Sequence, residues 1–167
     1  VCNAVESGIR KAYPNATITS IPLADGGEGT SQILTRQAGG TEVTVTVLDP
    51  LNRPIEALYG LSEDGQVAFI EMAAASGLSL LARNERNPLL TSTFGTGQLI
   101  VDALDKGVKK IILGIGGSAT TEGGMGMAEA LGYAFKDGEG HTLLPNGQAL
   151  EKIRSIDTRN VAPRLAL

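Results

Sequence analysis

The sequence predicts a mixed α/β fold in which strand–glycine-loop–helix units flank an antiparallel meander. One observation is the alternation of apolar and polar residues over 41–47 and again over 55–61, which is typical of half-buried strands. Another is the apolar run 111–113, which leads through a glycine-rich stretch into a helical pattern. The third is the glycine content, 22 of 167 residues, which is about twice the usual 7% and is concentrated in loops.

Two helices and a short strand are predicted in the first forty residues. Apolar side chains at helical spacing predict a first helix, which should end before Pro14 because proline disfavours a helical conformation in the preceding residue. Residues 17–22 are rich in β-prone side chains and predict a short strand. Thr30 or Ser31 should cap a second helix that ends at Gly39. The apolar side chains of the first helix are Val1, Val5, Ile9 and Ala12.

A hairpin signal completes the predicted meander. Asp64 and Gly65 separate the alternating run 55–61 from a third strand over 67–72, and Asp-Gly is a strong signal for a tight hairpin turn. The other predicted elements are a helix over 95–106, a strand over 110–115, a hairpin turn at 137–140 and a turn at 145–147.

The length and the first residue indicate how the chain is organised. At 167 residues the chain has the size of one domain or slightly more. It begins with Val1 inside a helical pattern, and we interpret it as part of a longer, two-domain protein. Residues 1–40 are assigned to an incomplete first α/β domain and residues 41–167 to a second.

Composition narrows the class of protein. Fourteen Lys and Arg residues against eighteen Asp and Glu give a net charge of −4 without a basic cluster, which argues against nucleic acid as a partner. No apolar run approaches the roughly 20 residues needed to span a bilayer, so no membrane partner is expected. The single cysteine, Cys2, excludes an internal disulfide and makes a cytoplasmic location the default expectation.

Residues 24–30 combine two carboxylates with three glycines and a threonine. Asp25 and Glu28 are candidate catalytic residues, since carboxylates three residues apart on an open loop can hold Mg²⁺ or orient a substrate hydroxyl. The alternative is an acidic turn whose carboxylates cap the following helix. The candidate binding residues of this segment are Gly26, Gly27, Gly29 and Thr30.

A second glycine-rich segment, residues 114–126, follows the apolar strand and precedes a helical pattern. Glycines allow the backbone to approach a ligand closely, and free N–H groups at a helix start favour phosphate or carboxylate. The segment therefore predicts an anion-binding site. Tight packing of a helix on a strand, with a hydroxyl cap, is the alternative. The candidate binding residues are Gly116, Gly117, Ser118, Thr120 and Thr121.

Polar residues outside these two glycine-rich segments are also candidates for the site. Thr96 lies in a stretch of hydroxyls and glycines, residues 91–97, before a helix start, and is a candidate for a third anion-binding segment. A Ser/Thr N-cap is at least as consistent with that pattern. Glu71 and Ser76 flank a run of alanines, and each is expected to face either the core or the site.

Two nucleotide-binding motifs bear on the function of the glycine-rich segments. The sequence contains no Gly-Lys pair, so there is no Walker A loop. The spacing Gly114-x-Gly116-x-x-Ala119 satisfies a loose dinucleotide fingerprint after a strand, which leaves a nicotinamide-dependent oxidoreductase as an alternative function. A non-catalytic sugar-acid-binding module is another alternative, because the anion-binding segments have no evident base.

Three segments carry a family resemblance: Ala-Asp-Gly-Gly-Glu-Gly-Thr at 24–30, Phe-Ile-Glu-Met-Ala-Ala-Ala-Ser-Gly-Leu at 69–78 and Gly-Ile-Gly-Gly-Ser-Ala-Thr-Thr at 114–121. In their order and spacing they resemble bacterial glycerate kinase of the glycerate 2-kinase type, and the resemblance covers essentially the whole chain. The sequence lacks that family's N-terminal strand and its C-terminal half. Glu122 stands where the family more often has Asp.

The resemblance implies a phosphotransferase with two α/β domains and an active site in the cleft between them. It implies transfer of the γ-phosphoryl group of ATP to D-glycerate, with Mg²⁺, giving 2-phosphoglycerate. Phosphoryl transfer depends mainly on positioning and on stabilisation of charge. Residues 25–30 would then serve the substrate or the metal, with Asp25 and Glu28 as metal ligands, and residues 116–121 would bind an anionic group.

Overall fold

The computed structural model describes residues 2–161 and 163–165. The predicted mixed α/β architecture is confirmed, with a four-stranded sheet and a separate two-stranded sheet in the described residues. The helices are α1 (Cys2–Ala12), α2 (Thr30–Gln37), α3 (Ala73–Ser76), α4 (Phe94–Asp105) and α5 (Met125–Ala130). The strands are β1 (Thr41–Leu48), β2 (Pro54–Leu61), β3 (Val67–Glu71), β4 (Lys110–Gly114), β5 (Ala134–Lys136) and β6 (Ser155–Asp157). Short 3₁₀ turns occupy Leu78–Leu80, Arg83–Glu85, Gly147–Lys152 and Pro163–Leu165.

The main sheet has the strand order β1-β2-β3-β4. Its first three strands form the predicted antiparallel meander, with Thr41 of β1 opposite Leu61 of β2. Strand β4 pairs with β3 in parallel, with Val67 opposite Lys110, and the chain between them passes through α3 and α4. Because β3 and β4 are parallel, their carboxyl ends lie at the same edge of the sheet.

The hydrophobic core lies between the sheet and α4. Ile70 on β3 and Leu99 on α4 retain 1% and 0% of their exposed surface. Tyr59 on β2 is fully buried in the same core, and its hydroxyl donates a 2.8 Å hydrogen bond to Asp102 on α4. Burial and this hydrogen bond raise the pKa of Tyr59 well above its ordinary value. The bond ties the helix to the middle of the sheet.

Helix α2 packs against β2 and β3. Gly60 on β2 allows a close approach, because a Cβ atom at this position would lie 1.5 Å from the hydroxyl oxygen of Thr35 on α2. Tyr59 and Gly60 are neighbours in β2 and point to opposite faces, so α2 and α4 cover the two faces of the sheet. The predicted domain boundary at residue 40 falls between α2 and β1, and it stays a prediction.

The N-terminal residues differ in part from the expectations. Helix α1 is confirmed, but none of its described residues is buried, and Val5 retains 54% of its exposed surface; Val1 lies outside the described residues. Residues 17–22, expected as a strand, are irregular. Without a described neighbouring strand to pair their backbone groups, β-prone side chains do not suffice. No helix among the described residues, α1 included, is long and apolar enough to cross a membrane.

The small sheet of β5 and β6 lies in a part of the chain where the sequence predicts a hairpin at 137–140 and a turn at 145–147. The hairpin is confirmed by an antiparallel bridge between Lys136 and Thr142, whereas β6 was not predicted. Each strand has three residues, which is too short for an alternating pattern to be recognised. An ion pair supports the pairing, since the carboxylate of Asp157 on β6 lies 3.2 Å from Lys136 on β5. Arg159, two residues after Asp157, lies 2.6 Å from the same carboxylate. These cations hold the pKa of Asp157 well below its ordinary range, Arg159 contributing most.

Candidate functional site

Residues 24–30, which we term the acidic loop, form a turn that is exposed at Ala24, Asp25 and Glu28 and ends at Thr30, a buried residue that begins α2. Asp25 is exposed, and its Oδ1 accepts a 2.9 Å hydrogen bond from the N–H of Gly27. Glu28 is also exposed, and its carboxylate has no partner among the described residues. Gly29 has a φ of 89°, a conformation that strains any residue with a side chain. The loop therefore presents two carboxylates to the solvent.

Residues 114–126, which we term the glycine loop, are in direct contact with the acidic loop. The N–H of Gly116 donates a 2.8 Å hydrogen bond to the carbonyl oxygen of Gly26. A Cβ atom at Gly116 would lie 2.8 Å from the backbone of Gly27, and one at Gly114 would lie 2.7 Å from the carbonyl oxygen of Gly26. Because a side chain fits at neither position, the two glycines are what allow the loops to meet.

Both loops lie at the carboxyl ends of the parallel strands β3 and β4. Glu71 and Gly114, the last residues of these strands, stand opposite each other in the register. Ligands of α/β sheets bind at this edge, where loops from adjacent strands converge. The position and the contact between the loops together define a candidate site.

Glu71 is buried and is directed at the acidic loop and the start of α2. Its carboxylate accepts hydrogen bonds from the N–H of Ser31, at 2.6 Å, and from the N–H of Gly29, at 3.1 Å. The expected cap by a Thr30 or Ser31 hydroxyl is therefore wrong, and α2 has no side-chain cap of its own. The Thr30 hydroxyl instead accepts a 3.1 Å bond from the N–H of Gly26, within the loop.

A second buried carboxylate, Glu122, occupies the helix starts around the glycine loop. It retains 1% of its exposed surface. It accepts hydrogen bonds from the N–H of Thr93 at 2.8 Å, from the Thr93 hydroxyl and from the N–H of Gly126 at 3.2 Å. These bonds join the residue before α4 to the first turn of α5. The N–H groups expected to be free at the helix start are therefore taken by the protein's own side chains, since the N–H of Met127 donates a 2.9 Å bond to the Thr93 hydroxyl.

The exposed side of the glycine loop offers hydroxyls and backbone N–H groups. The hydroxyl oxygens of Ser118 and Thr120 lie 2.8 Å apart, and both residues are partly exposed. Thr121 is exposed, and its hydroxyl donates a 3.3 Å bond to the carbonyl of Pro88. Within residues 2–161, the N–H groups of Gly117 and Ser118 have no hydrogen-bond partner. This surface carries donors without a formal charge.

Thr96, a candidate of the third segment, is fully buried. Its hydroxyl lies 2.8 Å from that of Ser76, which is buried as well, so of the two orientations expected for Ser76 the structure has the one that faces the core. A Cβ atom at Gly95 would lie 1.8 Å from the carbonyl oxygen of Leu48. The glycines and hydroxyls of this stretch thus pack α4 against its neighbours, and Thr96 has no exposed surface for a ligand.

Residues 77–91 contact the glycine loop at several points. The N–H of Leu78 donates a 2.9 Å bond to the carbonyl of Gly117. The hydroxyl of Thr91 donates a 2.8 Å bond to the carbonyl of Ala119. This segment therefore supports the glycine loop along its length, a role that the sequence pattern did not reveal because the partners lie far apart in the chain.

Negative charge is concentrated at the two loops. Four carboxylates lie in the loops or against them, and within the described structure none of the four belongs to a salt bridge. Residues 24–31 and 114–127 contain no Lys or Arg. No cluster of three or more His, Cys, Asp or Glu among the described residues is arranged to hold a metal ion. The four carboxylates are Asp25, Glu28, Glu71 and Glu122.

The dinucleotide fingerprint lacks its structural context. In a nucleotide-binding βαβ unit the glycine motif itself opens the helix. Here residues 115–124 separate the end of β4 from the first residue of α5, Met125. Gly114 and Gly116 pack against the acidic loop instead of admitting a pyrophosphate.

The fold and the site define an α/β domain whose candidate site is built from two glycine-containing loops at the ends of parallel strands. The model of the glycerate kinase family matches residues 1–167, and the chain belongs to this family. The resemblance stated from the motifs is therefore confirmed.

The relatives agree with this assignment. The chain is 51% identical over 162 residues to a glycerate kinase of Halalkalibacterium halodurans and 46% identical over 165 residues to glycerate 2-kinase of Escherichia coli, matches that cover 97% and 99% of the chain. A crystal structure from Salmonella typhimurium LT2, provisionally named glycerate kinase 2, superimposes with a TM-score of 0.83 at 48% identity over 98% of the chain. The chain spans 43% of the two curated relatives and 44% of the solved chain.

Proposed function

We propose that the full-length protein is a kinase that transfers the γ-phosphoryl group of ATP to D-glycerate and forms 2-phosphoglycerate. The observation that carries this proposal is the contact between the acidic loop and the glycine loop, where the N–H of Gly116 bonds to Gly26. The contact sets exposed carboxylates beside hydroxyls and free N–H groups, which are the groups that a phosphoryl transfer site needs. The family and the name of the Escherichia coli relative support the reaction.

The charge of the site supports different binding roles for the acidic loop and the glycine loop. Asp25 and Glu28 would repel a phosphate or a carboxylate that approached without a cation. We therefore assign the acidic loop to the metal and to the glycerate hydroxyl. The glycine loop, with free N–H groups at Gly117 and Ser118 and with hydroxyls at Thr120 and Thr121, is assigned to an anionic group.

The donor chemistry of the acidic loop fits Mg²⁺. Magnesium prefers carboxylate oxygens and usually takes one or two of them, completing its shell with water and with phosphate oxygens of the substrate. Glu28 supplies an exposed carboxylate for the ion, a larger protein cage is absent from the described residues, and Asp25 is left for the glycerate hydroxyl. When bound, the ion would neutralise charge on the phosphates of ATP.

The proposed step uses this chain's own groups for orientation and for the proton. The glycerate hydroxyl oxygen forms a bond to the γ-phosphorus, and the bond from phosphorus to the bridging oxygen of ADP breaks. The hydroxyl proton passes to Oδ2 of Asp25, the oxygen that the N–H of Gly27 leaves unengaged. The N–H groups of Gly117 and Ser118 bind an anionic oxygen.

A cation for the transferring phosphoryl group is proposed on the supporting segment. Residues 77–91 carry Arg83 and Arg86. Arg86 lies two positions before Pro88, whose carbonyl binds the hydroxyl of Thr121 in the glycine loop. Its Nε donates a 3.4 Å bond to the carbonyl of Leu81, and its terminal nitrogens have no partner among the described residues. A guanidinium group held in this way can stabilise charge on a phosphoryl group.

The test compares Asp25→Asn and Asp64→Asn in the full-length protein. Both aspartates use Oδ1 to accept a bond from the N–H two residues later, and asparagine keeps that acceptor, so both variants should fold. We expect Asp25→Asn to lower glycerate-dependent ADP release by about 10²- to 10⁴-fold, and Asp64→Asn to leave it unchanged. Folded wild-type protein that releases no ADP with glycerate and MgATP would refute the proposed function. An active Asp25→Asn variant would refute only the role of Asp25.

A further inference from the structure

Glu71 connects the end of a strand to the loop that carries the exposed carboxylates. It is the last residue of β3, retains 8% of its exposed surface, and bonds to the N–H groups of Gly29 and Ser31. Both carboxylate oxygens are used, one for each N–H group. A single side chain therefore fixes the end of the acidic loop and the start of α2.

The other end of the acidic loop is fixed as well. The carbonyl of Gly26 accepts a bond from Gly116, and the N–H of Gly26 donates one to the Thr30 hydroxyl. Glu28 lies between these anchors and Asp25 lies immediately before them. The backbone that carries the two exposed carboxylates is thus held at both ends, by the glycine loop and by Glu71.

The interaction also brings like charges together. A carboxylate at a helix start is favourable because it meets the positive end of the helix dipole. The same charge lies against a loop that carries Asp25 and Glu28, and no Lys or Arg within residues 24–31 or 114–127 offsets it. The arrangement favours an acidic loop whose free carboxylates point outward and whose neighbourhood attracts a cation.

We propose that Glu71 is a positioning residue for the phosphoryl transfer inferred above. It acts through the backbone of the acidic loop and fixes where Asp25 and Glu28 present their carboxylates. The inference rests on the proposed function for its kinetic consequence, whereas the fixing of the loop can be measured by itself. Misplacing a catalytic group by about 1 Å can cost a hundredfold in rate, so a small loosening of the loop is sufficient.

The experiment uses Glu71→Gln in the full-length protein with Thr35→Val as its matched control. Glutamine has the same length, but its NH₂ group would face the N–H of Gly29 or Ser31, donor against donor. Thr35→Val lies on the same helix and removes the 2.7 Å bond from the Thr35 hydroxyl to the carbonyl of Ser31, while it leaves the carboxylate cap intact. Glu71→Asp keeps the charge on a side chain that is one methylene group shorter.

Two measurements separate positioning from stability. We expect hydrogen exchange of the amides in residues 24–31 to be faster than in wild type in Glu71→Gln and unchanged in Thr35→Val. Each protein is measured at the same number of degrees below its own melting temperature. We expect kcat to fall about tenfold or more in Glu71→Gln, with recovery in part by Glu71→Asp, and to stay at the wild-type value in Thr35→Val.

A failure of this inference can be distinguished from a failure of the proposed function. Unchanged exchange in Glu71→Gln would overturn the inference, and so would faster exchange with an unchanged kcat. Equal losses of kcat in Glu71→Gln and Thr35→Val would assign the effect to helix stability and overturn it too. If Glu71→Gln does not fold, Glu71→Asp carries both measurements. An inactive wild-type protein would refute the proposed function, and exchange would then decide whether Glu71 fixes the loop.

Discussion

The N–H of Gly116 donates a 2.8 Å hydrogen bond to the carbonyl oxygen of Gly26, and this bond joins two segments that are far apart in the chain. It lies at the carboxyl ends of the parallel strands β3 and β4. A side chain at Gly116 would collide with the backbone of Gly27. The two glycine-containing segments are therefore one structural unit, and a substitution that moves the backbone of one should also displace the backbone of the other.

Gly116→Ala should destabilise the protein by about 1–3 kcal/mol, because its Cβ would lie 2.8 Å from backbone atoms that cannot rotate away. Urea denaturation of the full-length protein measures the change. Gly138→Ala is the control, since its Cβ would meet only the Arg154 Cγ at 3.9 Å, and it should stay within about 0.5 kcal/mol of wild type. Equal stability of the two variants would contradict the contact.

Glu122→Gln should lower the free energy of unfolding by about 1.5–3 kcal/mol. The buried carboxylate accepts bonds from Thr93 and Gly126, and hydrogen bonds to a charged acceptor are worth more than neutral ones. Denaturation midpoints measure the loss. Glu139→Gln, whose side chain is 82% exposed, should change stability by less than about 0.5 kcal/mol. A Glu122→Gln variant as stable as this control would show that the cap contributes little.

Glu129→Gln should raise stability at neutral pH. Burial raises the pKa of Glu129, and its Oε2 is buried without a hydrogen-bond partner among the described residues. A raised carboxyl pKa means that stability is fully present below the unfolded pKa and is lost as the pH rises through the folded one. The advantage of glutamine, measured as a difference in melting temperature, should therefore be larger at pH 7 than at pH 4. The exposed variant Glu151→Gln should show no such trend, and a constant difference for Glu129→Gln would contradict the burial argument.

Arg86→Met should lower kcat by about a hundredfold without loss of folded protein, if its guanidinium group stabilises the transferring phosphoryl. Methionine keeps much of the apolar stem and removes the charge. Arg83→Met is the matched control, because Arg83 lies in the same segment, residues 77–91, and is exposed as well. Steady-state kinetics of the full-length protein give the comparison. Equal effects of the two substitutions would indicate that the segment contributes only general positive charge.

Local patterns predicted most of the regular elements. Alternation over 41–47 and 55–61 identified β1 and β2, and the Asp64-Gly65 signal placed the turn before β3. Helical spacing identified α1, α2 and α4. These predictions succeed because periodicity records which face of an element is buried, and that information is local. The strand expected over 17–22 shows the limit, since a strand needs a partner that local sequence does not supply.

The two glycine-containing loops were also recognised from their glycine-rich sequences, but the hydrogen bonds that hold them in place were not. Sequence patterns predicted a hydroxyl cap for α2 and allowed one before α4, whereas in the structure the carboxylates of Glu71 and Glu122 bind the N–H groups of Ser31 and Thr93. Ser31 lies 40 residues from Glu71 in the chain, and Thr93 lies 29 residues from Glu122. No local spacing rule connects residues so far apart. Whether Asp25, Glu28 and the other candidate residues bind ligands stays a prediction.

The sequence alone determined the fold class, the two loops and the family, because periodicity, glycine clusters and ordered motifs can all be recognised within short stretches of consecutive residues. Tertiary structure decided which of the polar residues are exposed. It placed Thr96 and Ser76 in the core and directed Glu71 at the acidic loop. It also brought Gly116 against Gly26. These outcomes depend on how β3, β4 and α2 pack, and packing is settled by contacts between distant residues rather than by any one segment.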